Sequence, residues 1–272
     1  MNKKLILMVL MIVLSTALAV FAIDSRLKTV HYTVENEHAK TPFRIALITD
    51  LHSCTYGGED RSDLMEAVRA QNPDAVLFGG DIFDDNMPRE AAATALKALG
   101  AEYDCYYISG NHEVRTGELE KIKDTVRSCG VTVLEGEAAA EVSTGVYIYG
   151  FDDLKAYENF YEQRLHIEET LYKNASEDAF NILLIHRPEY IEQYAEMDFD
   201  LVLCGHAHGG QWRIPGVLNG LYAPGQGLFP EYAGGLYEVG DTTLIVSRGL
   251  AKESTWVPRI FNRPELVIID IG

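Results

Sequence analysis

The sequence predicts an α/β protein in which two packed, mixed β-sheets are flanked by helices, an αββα sandwich preceded by an N-terminal transmembrane helix. Three observations predict this fold class. Short apolar runs alternate with helical patterns between residues 43 and 128, the C-terminal part is rich in strand patterns, and residues 5–23 carry no charge. Because sheets and helices bury their apolar faces against one another, this order favours two sheets with helices outside.

The N-terminal segment, residues 1–27, is predicted to be a membrane anchor or a signal segment. As a helix rising about 1.5 Å per residue, residues 5–23 reach roughly the thickness of a bilayer core. This length favours an uncleaved anchor, and a signal peptide cleaved near "ALA" at residues 17–19 is the alternative. Lys3 and Lys4 place the start of the segment in the cytoplasm. We therefore expect the remaining chain to be extracytoplasmic, or secreted if the segment is cleaved.

The next part of the chain alternates strands with helices. Residues 28–42 are predicted to be a linker with an edge strand, "TVHYTV", and residues 43–272 to be the main domain. In that domain "FRIALITD", "AVLFGGD" and "CYYISGN" are typical of strands, because each is a short apolar run followed by a polar or turn residue. Three helices are expected among them, at residues 62–71, 88–100 and 116–128.

Strand patterns dominate the second half of the chain. "VTVLEG" and "GVYIYGFDD" predict short strands, and a charged helical stretch follows at about residues 154–172. "FNILLIH" and "LVLCGH" predict two more strands, which flank a helix begun by Pro188. The C-terminal runs "TTLIVSRG" and "ELVIIDIG" complete the expected all-β end.

Charge and cysteine content argue against two classes of function. The formal net charge is −18 and Lys and Arg form no visible cluster, so no nucleic acid is expected as a partner. The four cysteines are scattered without a CxxC pair, which favours buried thiols over a disulfide framework or a zinc knuckle.

Five of the predicted strands end in residues that can bind a metal. These residues are Asp50, Asp81, Asn111, His186 and the pair His206 and His208. His52 follows Asp50 by two positions, so both side chains point to one side of an extended chain. Each residue alone has an ordinary explanation as a cap, a turn residue or a structural histidine. Because ligand sites form beyond the carboxyl ends of strands, their conjunction predicts one shared crevice.

The same motifs, in this order, resemble the calcineurin-like metallophosphoesterase superfamily. The motifs of that superfamily appear between residues 44 and 208 as "DLH", "GDIFD", "GNHE", "IH" and "GHAH". Glu113 stands where the superfamily often has Asp. The tail motifs "GGQ", "SRGL" and "FNRPEL", together with the N-terminal segment, resemble a membrane-anchored branch grouped with UDP-2,3-diacylglucosamine pyrophosphatases.

The resemblance implies two divalent metal ions held by seven side chains. Asp50, His52 and His208 would hold the first ion, Asn111, His186 and His206 the second, and Asp81 would bridge them. A shell of carboxylate, amide oxygen and imidazole suits manganese, iron or zinc, and manganese is expected first.

The resemblance also implies the reaction, which is hydrolysis of a phosphodiester or pyrophosphate by a metal-bridging hydroxide. His112 is expected beside the leaving group as a proton donor, and Asp84 is expected to accept a hydrogen bond from the His112 ring. Without the resemblance, Asp84 would be an ordinary loop carboxylate. Arg115 and Arg187 lie close in sequence to these motifs, where an arginine binds a phosphate or, more often, forms a surface ion pair.

Other functions stay open at this stage. A metallo-β-lactamase-like hydrolase also uses His-x-His, but it requires Asp-His directly afterwards, where this chain has glycines and Gln211. A phosphomonoesterase of the same fold and a catalytically silent, membrane-tethered metal-binding module are the remaining alternatives. The anchor favours a lipid-linked or envelope phosphate ester as substrate. The sequence gives no indication of the oligomeric state.

Overall fold

Two six-stranded β-sheets form the body of the protein. The computed structural model describes residues 3–35, 41–56, 62–136, 140–143, 145–174, 179–252 and 257–272. The strands are β1 Lys28–Val34, β2 Phe43–Ile48, β3 Ala75–Gly79, β4 Asp104–Ile108, β5 Thr132–Val133, β6 Ala140–Ser143, β7 Val146–Gly150, β8 Phe180–Leu184, β9 Leu201–Cys204, β10 Tyr222–Ala223, β11 Gly227–Leu228, β12 Gly235–Val239, β13 Thr242–Val246 and β14 Glu265–Ile271.

Both sheets are mixed, as predicted. The first sheet has the order β1-β14-β2-β3-β4-β5, and only the pair of β14 and β2 is antiparallel. The second sheet has the order β12-β13-β9-β8-β7-β6, with antiparallel pairs at its two edges. Strands β10 and β11 form a separate two-stranded hairpin. Parallel strands therefore occupy the centre of each sheet, so their carboxyl ends lie at one edge.

The helices are α1 Lys3–Ala22, α2 Ser62–Arg69, α3 Glu90–Gly100, α4 Asn111–Arg115, α5 Leu119–Ser128, α6 Phe160–Asn174 and α7 Ile191–Tyr194. Short 3-10 turns lie at residues 154–156, 188–190 and 208–210. Helix α1 has 20 residues and a mean hydropathy of 2.8, and none of its residues is buried. It is long and apolar enough to cross a membrane.

The alternation of side chains along each strand produces three apolar layers. Ile45 and Leu47 of β2 point between the sheets and join Ile182 and Leu203 of the second sheet. Their neighbour Ile48 points the other way, into a cluster with α2, α3 and α5. The opposite face of the second sheet packs against α6 and α7. The predicted αββα arrangement is thereby confirmed.

Several element boundaries differ from the predictions. The helix expected at residues 116–128 begins at Leu119, because a separate short helix, α4, occupies Asn111–Arg115. The helix begun by Pro188 is a 3-10 turn followed by one turn of α7. The C-terminal strand β14 lies in the first sheet, between β1 and β2. Residues 36–40 of the expected linker lie outside the described part of the chain.

Candidate metal centre

The carboxyl ends of five parallel strands bring the seven predicted ligands together. Three of these strands, β2, β3 and β4, are neighbours in the first sheet, and β8 and β9 are neighbours in the second. All seven side chains are buried: Asp50 and His52 after β2, Asp81 after β3, Asn111 after β4, His186 after β8, and His206 and His208 after β9. The strand-end pattern of the sequence thus corresponds to one place in the fold.

Two groups of potential ligand atoms share one carboxylate. Asp50, His52, Asp81 and His208 form the first group, and their ligand atoms lie within 4.8 Å of one another. Asp81 also belongs to a second group with His186 and His206. In the first group His52 Nε2 lies 3.6 Å from Asp81 Oδ2. The geometry is that of two adjacent sites joined through Asp81.

The second group is arranged around His186. Its Nδ1 donates a hydrogen bond to the Gly79 carbonyl at 2.9 Å, which turns Nε2 toward Asp81 Oδ2 at 3.2 Å. His206 Nδ1 lies 3.2 Å from the same Nε2. Because a backbone hydrogen bond fixes the orientation of the ring, His186 presents one defined nitrogen to the centre.

Unsatisfied buried atoms test whether these residues fit a metal. His52 Nε2, Asn111 Oδ1 and His208 Nδ1 are buried and have no hydrogen-bond partner among the described residues. Burying a polar atom without a partner is costly, typically about 1–3 kcal/mol. Divalent cations bind such nitrogen and oxygen atoms, and the mixed donor set suits manganese, iron or zinc. The residues present therefore fit a pair of divalent ions.

The backbone at the centre is held in an uncommon conformation. Five of the seven residues have positive φ angles: Asp50 at 49°, His52 at 47°, Asp81 at 52°, His206 at 66° and His208 at 48°. Each such residue costs on the order of 1–3 kcal/mol and persists only where the surroundings enforce it. Strain of this kind clusters at functional sites, which agrees with the fit to metals.

Three glycines give the carboxylates the space they need. A Cβ on Gly110 would lie 2.3 Å from Asp81 Oδ1, and a Cβ on Gly205 would lie 2.5 Å from Asp50 Oδ2. Gly249 has a φ of +70°, and a Cβ there would lie 2.6 Å from the Cβ of Asp50. Any side chain at these positions would displace a carboxylate, so the glycines belong to the centre.

Glu113 fixes the loop that carries Asp81. Its buried carboxylate accepts hydrogen bonds from four backbone N–H groups, those of Asp81, Ile82, Phe83 and Gly110, at 2.7 to 3.0 Å. Burial, with the nearby Asp81 charge, raises the pKa of Glu113 to about 7. Sequence reasoning noted Glu113 only as a variation of a motif and missed this role. Its position two residues after Asn111 was the available signal.

The C-terminal segment holds the centre from the other side. The Leu250 N–H donates to the Asp50 carbonyl at 3.2 Å, and Asn262 Nδ2 donates to the His208 carbonyl at 2.8 Å. These residues come from the tail motifs "SRGL" and "FNRPEL". The tail therefore positions two loops that carry predicted ligands.

Burial and nearby charges hold the ionisable residues of the centre in different protonation states. Burial opposes protonation of His186, but the Asp81 carboxylate outweighs it and raises the pKa of His186 to about 10. Burial would raise the pKa of Asp81, yet the charge and hydrogen bond of His186, together with the charges of His52 and His112, outweigh burial and lower that pKa well below its usual range. Burial, followed by the charge of nearby His186 or His52, holds the pKa values of His206 and His208 well below the usual range. A divalent cation would displace the proton from His186.

His112 has a different partner from the one predicted. Its Nδ1 lies 2.6 Å from Asp85 Oδ1 and 3.6 Å from Asp84 Oδ2, so Asp85 accepts the hydrogen bond expected for Asp84. Asp84 Oδ2 instead lies 2.9 Å from Nδ1 of His52. The reason is local: Asp84 is nearly buried beneath His52, whereas Asp85 is more exposed and faces the outer His112 ring. The sequence pattern alone does not distinguish the two neighbouring carboxylates.

The tautomer of His112 follows from Arg115. Arg115 Nη2 lies 2.5 Å from His112 Nε2, and a guanidinium can only donate. Nε2 is therefore the acceptor and Nδ1 carries the proton that Asp85 accepts. Burial, opposed in part by the Asp81 charge, lowers the pKa of His112 below its usual value.

A cavity of about 290 Å³ opens over the centre. It is lined by predicted ligands and by three cationic side chains, Arg115, Lys155 and Arg187. The Arg187 guanidinium is itself held by Asp153, at 2.7 and 3.2 Å. This lining suits an anionic ligand, although Arg187 also pairs with Glu189 at 3.2 Å and Arg115 with Asp85 at 3.4 Å.

Comparison with known proteins agrees with this site. A family described as calcineurin-like phosphoesterase matches residues 43–210, which include all seven potential ligands. The chain belongs to this family. It is accordingly a metal-dependent hydrolase of phosphoric esters with a buried His/Asp centre suited to divalent metal ions.

Related proteins align with this calcineurin-like phosphoesterase along most of its length. A metallophosphoesterase of Aquifex aeolicus is 31% identical over 252 residues, covering 90% of this chain and 92% of the relative. The phosphodiesterase YaeI of Escherichia coli is 29% identical over 238 residues, covering 85% and 82%. The crystal structure of TT1561 from Thermus thermophilus has a TM-score of 0.52 at 12% identity, covering 78% of this chain and 92% of that one, and shows the shared fold.

Proposed function

We propose that this phosphoesterase holds two divalent ions and hydrolyses a phosphodiester or pyrophosphate bond of a lipid-linked or envelope substrate. The observation that carries the proposal is the sharing of Asp81 by two groups of ligand atoms. Asp50, His52 and His208 would hold one ion, Asn111, His186 and His206 would hold the other, and Asp81 would contribute to both. Manganese is the first candidate, and iron or zinc would also suit these donors. Such ions, when bound, polarise phosphoryl oxygens and lower the pKa of a coordinated water.

His112 is the proposed catalytic residue among the side chains of the chain itself. It is partly exposed and lines the cavity, and Asp85 orients its ring and stabilises it when it is protonated. Protonation of Nε2 would end the hydrogen bond that Arg115 donates to it, because a protonated nitrogen no longer accepts. We assign to this Nε2–H of the doubly protonated ring the transfer of its proton to the leaving oxygen, which leaves His112 neutral with its remaining proton on Nδ1. Asp84, the second proposed residue, acts by fixing the His52 ring.

The charged lining of the cavity supports a substrate with more than one anionic group. Arg115 and Arg187 already pair with carboxylates, and Lys155 adds an exposed cation that could contact a second anionic group. The relative named phosphodiesterase YaeI adds support for a diester. The phosphomonoesterase alternative predicts instead that small monoesters are the better substrates.

The N-terminal helix supports a membrane location. A helix of 20 residues at about 1.5 Å per residue spans roughly 30 Å, the thickness of a bilayer core. We assign α1 as a single-pass anchor with the catalytic domain outside the cytoplasm, in agreement with Lys3 and Lys4 at its start. A cleaved segment would release the domain.

The test combines metal content with substrate range. The full chain in detergent is stripped of metal, reloaded with manganese, iron or zinc, and assayed on a model diester, a model monoester and a nucleotide-lipid pyrophosphate. We expect two ions per chain and turnover of the diester or the pyrophosphate above that of the monoester. His112→Ala should keep both ions and lose about 10²–10⁴-fold in rate, most for poor leaving groups.

Full metal occupancy without turnover of any ester would favour the silent metal-binding module. Loss of both ions in His112→Ala would contradict the role assigned to His112. Preference for the monoester would replace the diester proposal with the phosphomonoesterase.

A further inference from the structure

An exposed apolar surface lies on residues 212–229, named here the apolar rim. Six large apolar side chains of this segment are exposed: Trp212, Ile214, Val217, Tyr222, Leu228 and Phe229. Leu228 and Phe229 are each 67% exposed and Val217 is 81% exposed. Beyond residue 23, the described part of the chain has only four other exposed side chains of this kind: Tyr161, Leu165, Tyr172 and Leu236. A concentration of exposed apolar side chains of this sort favours an interaction site.

The charge distribution singles out the same segment. The chain has 41 acidic residues among 272, yet none lies between Asp200 and Glu231. Apart from the histidines, Arg213 is the only charged residue in that interval. The residues of the apolar rim therefore contribute no carboxylate of their own that would repel an anionic lipid surface.

The apolar rim begins beside the end of α1. The Phe261 N–H donates to the carbonyl of Ala22, the last residue of α1, at 2.6 Å, and the rings of Phe21 and Phe261 lie 6.0 Å apart. Residues close to Phe261 also contact the rim, because Trp212 Nε1 donates to the Pro258 carbonyl at 3.0 Å. One short segment thus connects the helix end with the start of the rim.

The other end of the apolar rim borders the cavity over the metal centre. Tyr222 and Leu228 face each other in the hairpin of β10 and β11. Pro224 and Gly225, at the tip of the same hairpin, line the cavity. The rim therefore extends from the membrane helix to the opening of the site.

We infer that the apolar rim is a bilayer-contacting surface, inserted at the boundary of headgroups and acyl chains in the membrane that α1 crosses. Its continuity with α1 and its lack of acidic residues favour a lipid surface over a protein partner. Contact there holds the cavity at the depth of lipid phosphates, so the substrate class is a phosphate ester or pyrophosphate that remains attached to a membrane lipid. The inference rests on the proposed function in that α1 is the anchor.

Tryptophan fluorescence tests the contact directly. The chain has two tryptophans, Trp212 and Trp256, so Trp256→Phe leaves a single reporter in the rim. This variant, as the full chain, is reconstituted into vesicles of phosphatidylcholine and phosphatidylglycerol whose acyl chains carry bromine near the headgroup. We expect loss of Trp212 fluorescence relative to vesicles without bromine.

A matched reporter controls for quenching unrelated to the rim. Tyr172 on α6 is 87% exposed and outside the rim, so Tyr172→Trp in a chain with Trp212→Phe and Trp256→Phe should keep its fluorescence. Leu228→Asp with Phe229→Asp, added to the Trp256→Phe chain, should reduce the quenching of Trp212. The same pair should slow hydrolysis of an ester embedded in the vesicle without changing hydrolysis of a soluble diester.

The outcomes distinguish failure of the bilayer contact from failure of the proposed function. Equal quenching at positions 172 and 212, or none at 212 in a chain embedded in vesicles, would overturn the bilayer contact even if soluble esters are hydrolysed. Quenching confined to 212 in a chain that hydrolyses nothing would support the contact while the proposed function fails. Failure of the chain to enter vesicles would remove the anchor and the bilayer contact together.

Discussion

The floor of the cavity and its mouth are built in opposite ways. The floor consists of the seven potential ligands, all buried, five of them at strained backbone positions enforced by tight glycines and by Glu113. The mouth consists of His112, Arg115 and Lys155, which are partly or fully exposed. The fold therefore fixes the residues that carry the chemistry at the floor. The residues at the mouth, and with them the choice of substrate, can change without disturbing the fold.

The largest effect is expected at the carboxylate shared by the two groups. Asp81→Asn removes the charge that both groups use while preserving the shape of the side chain. Changes to residues that merely support ligands cost about 10–100-fold, so loss of the shared ligand should exceed about 100-fold in kcat/KM. Metal analysis should find fewer than two ions per chain.

Asp104→Asn is the matched control, because Asp104 is an exposed carboxylate at the start of β4. Its metal content and kcat/KM should equal those of the parent chain. An Asp81→Asn chain that kept two ions and full activity would show that the Asp81 charge is needed neither for metal binding nor for hydrolysis.

At the floor, a clash between a new Cβ and a neighbouring side chain should lower stability more than the left-handed backbone conformation does alone. Gly249 and Gly216 have φ angles of +70° and +75°, but a Cβ would meet Asp50 only at Gly249. Gly216→Ala should cost about 1–2 kcal/mol for the left-handed conformation, and Gly249→Ala about 1–3 kcal/mol more for the clash. The thermal midpoint of Gly249→Ala should therefore lie about 2–12 °C below that of Gly216→Ala. Equal midpoints would show that Asp50 can move aside without cost.

The same contrast explains what the sequence could predict. The seven floor residues follow apolar runs, and strand polarity alone brings strand ends together, so Asp50 and His206 could be placed from the pattern. Side-chain pairing could not be predicted: the hydrogen bond from His112 that was expected at Asp84 goes to its more exposed neighbour Asp85, while the buried Asp84 contacts His52. Glu113 was missed for a similar reason, since three of its four donors, the N–H groups of residues 81–83, lie far from it in the sequence.

Pairing between strands far apart in the sequence was the second feature that could not be predicted. The position of β14 between β1 and β2 joins residues more than 200 positions apart, and no local pattern encodes that neighbour. Helix α4 ends at Arg115 and α5 begins at Leu119, and Gly117 between them has a φ of +69°. Local propensity fixes the type of each element, whereas tertiary contacts fix its borders.

At the mouth, the pKa of His112 should respond in opposite directions to its two neighbours. The Arg115 charge lowers the pKa of His112 and the hydrogen bond to Asp85 raises it, while burial is the largest cause of its low value. Arg115→Gln should raise this pKa and Asp85→Asn should lower it further. If protonated His112 is the acid, kcat/KM falls as pH rises through its pKa. The falling limb should therefore move to higher pH in Arg115→Gln and to lower pH in Asp85→Asn.

The pH profile is measured on a substrate with a poor leaving group, where proton donation limits the rate. A substrate with a good leaving group serves as the control, because its rate should depend little on His112. A shift of both variants in one direction would contradict the assigned hydrogen bonds.

The smallest effect is expected at Lys155, an exposed cation that lines the cavity. No ion-pair partner is found for its ammonium group among the described residues, so it is available to a second anionic group of the substrate. An exposed pair contributes about 0.2–1 kcal/mol, so Lys155→Ala should raise KM at most about fivefold. The increase should appear with a pyrophosphate substrate and be absent with a singly charged diester. Lys173→Ala, which removes an exposed lysine of α6, should leave both KM values unchanged. Equal effects of Lys155→Ala on both substrates would mean that Lys155 attracts anions in general and does not recognise a second phosphate of the substrate.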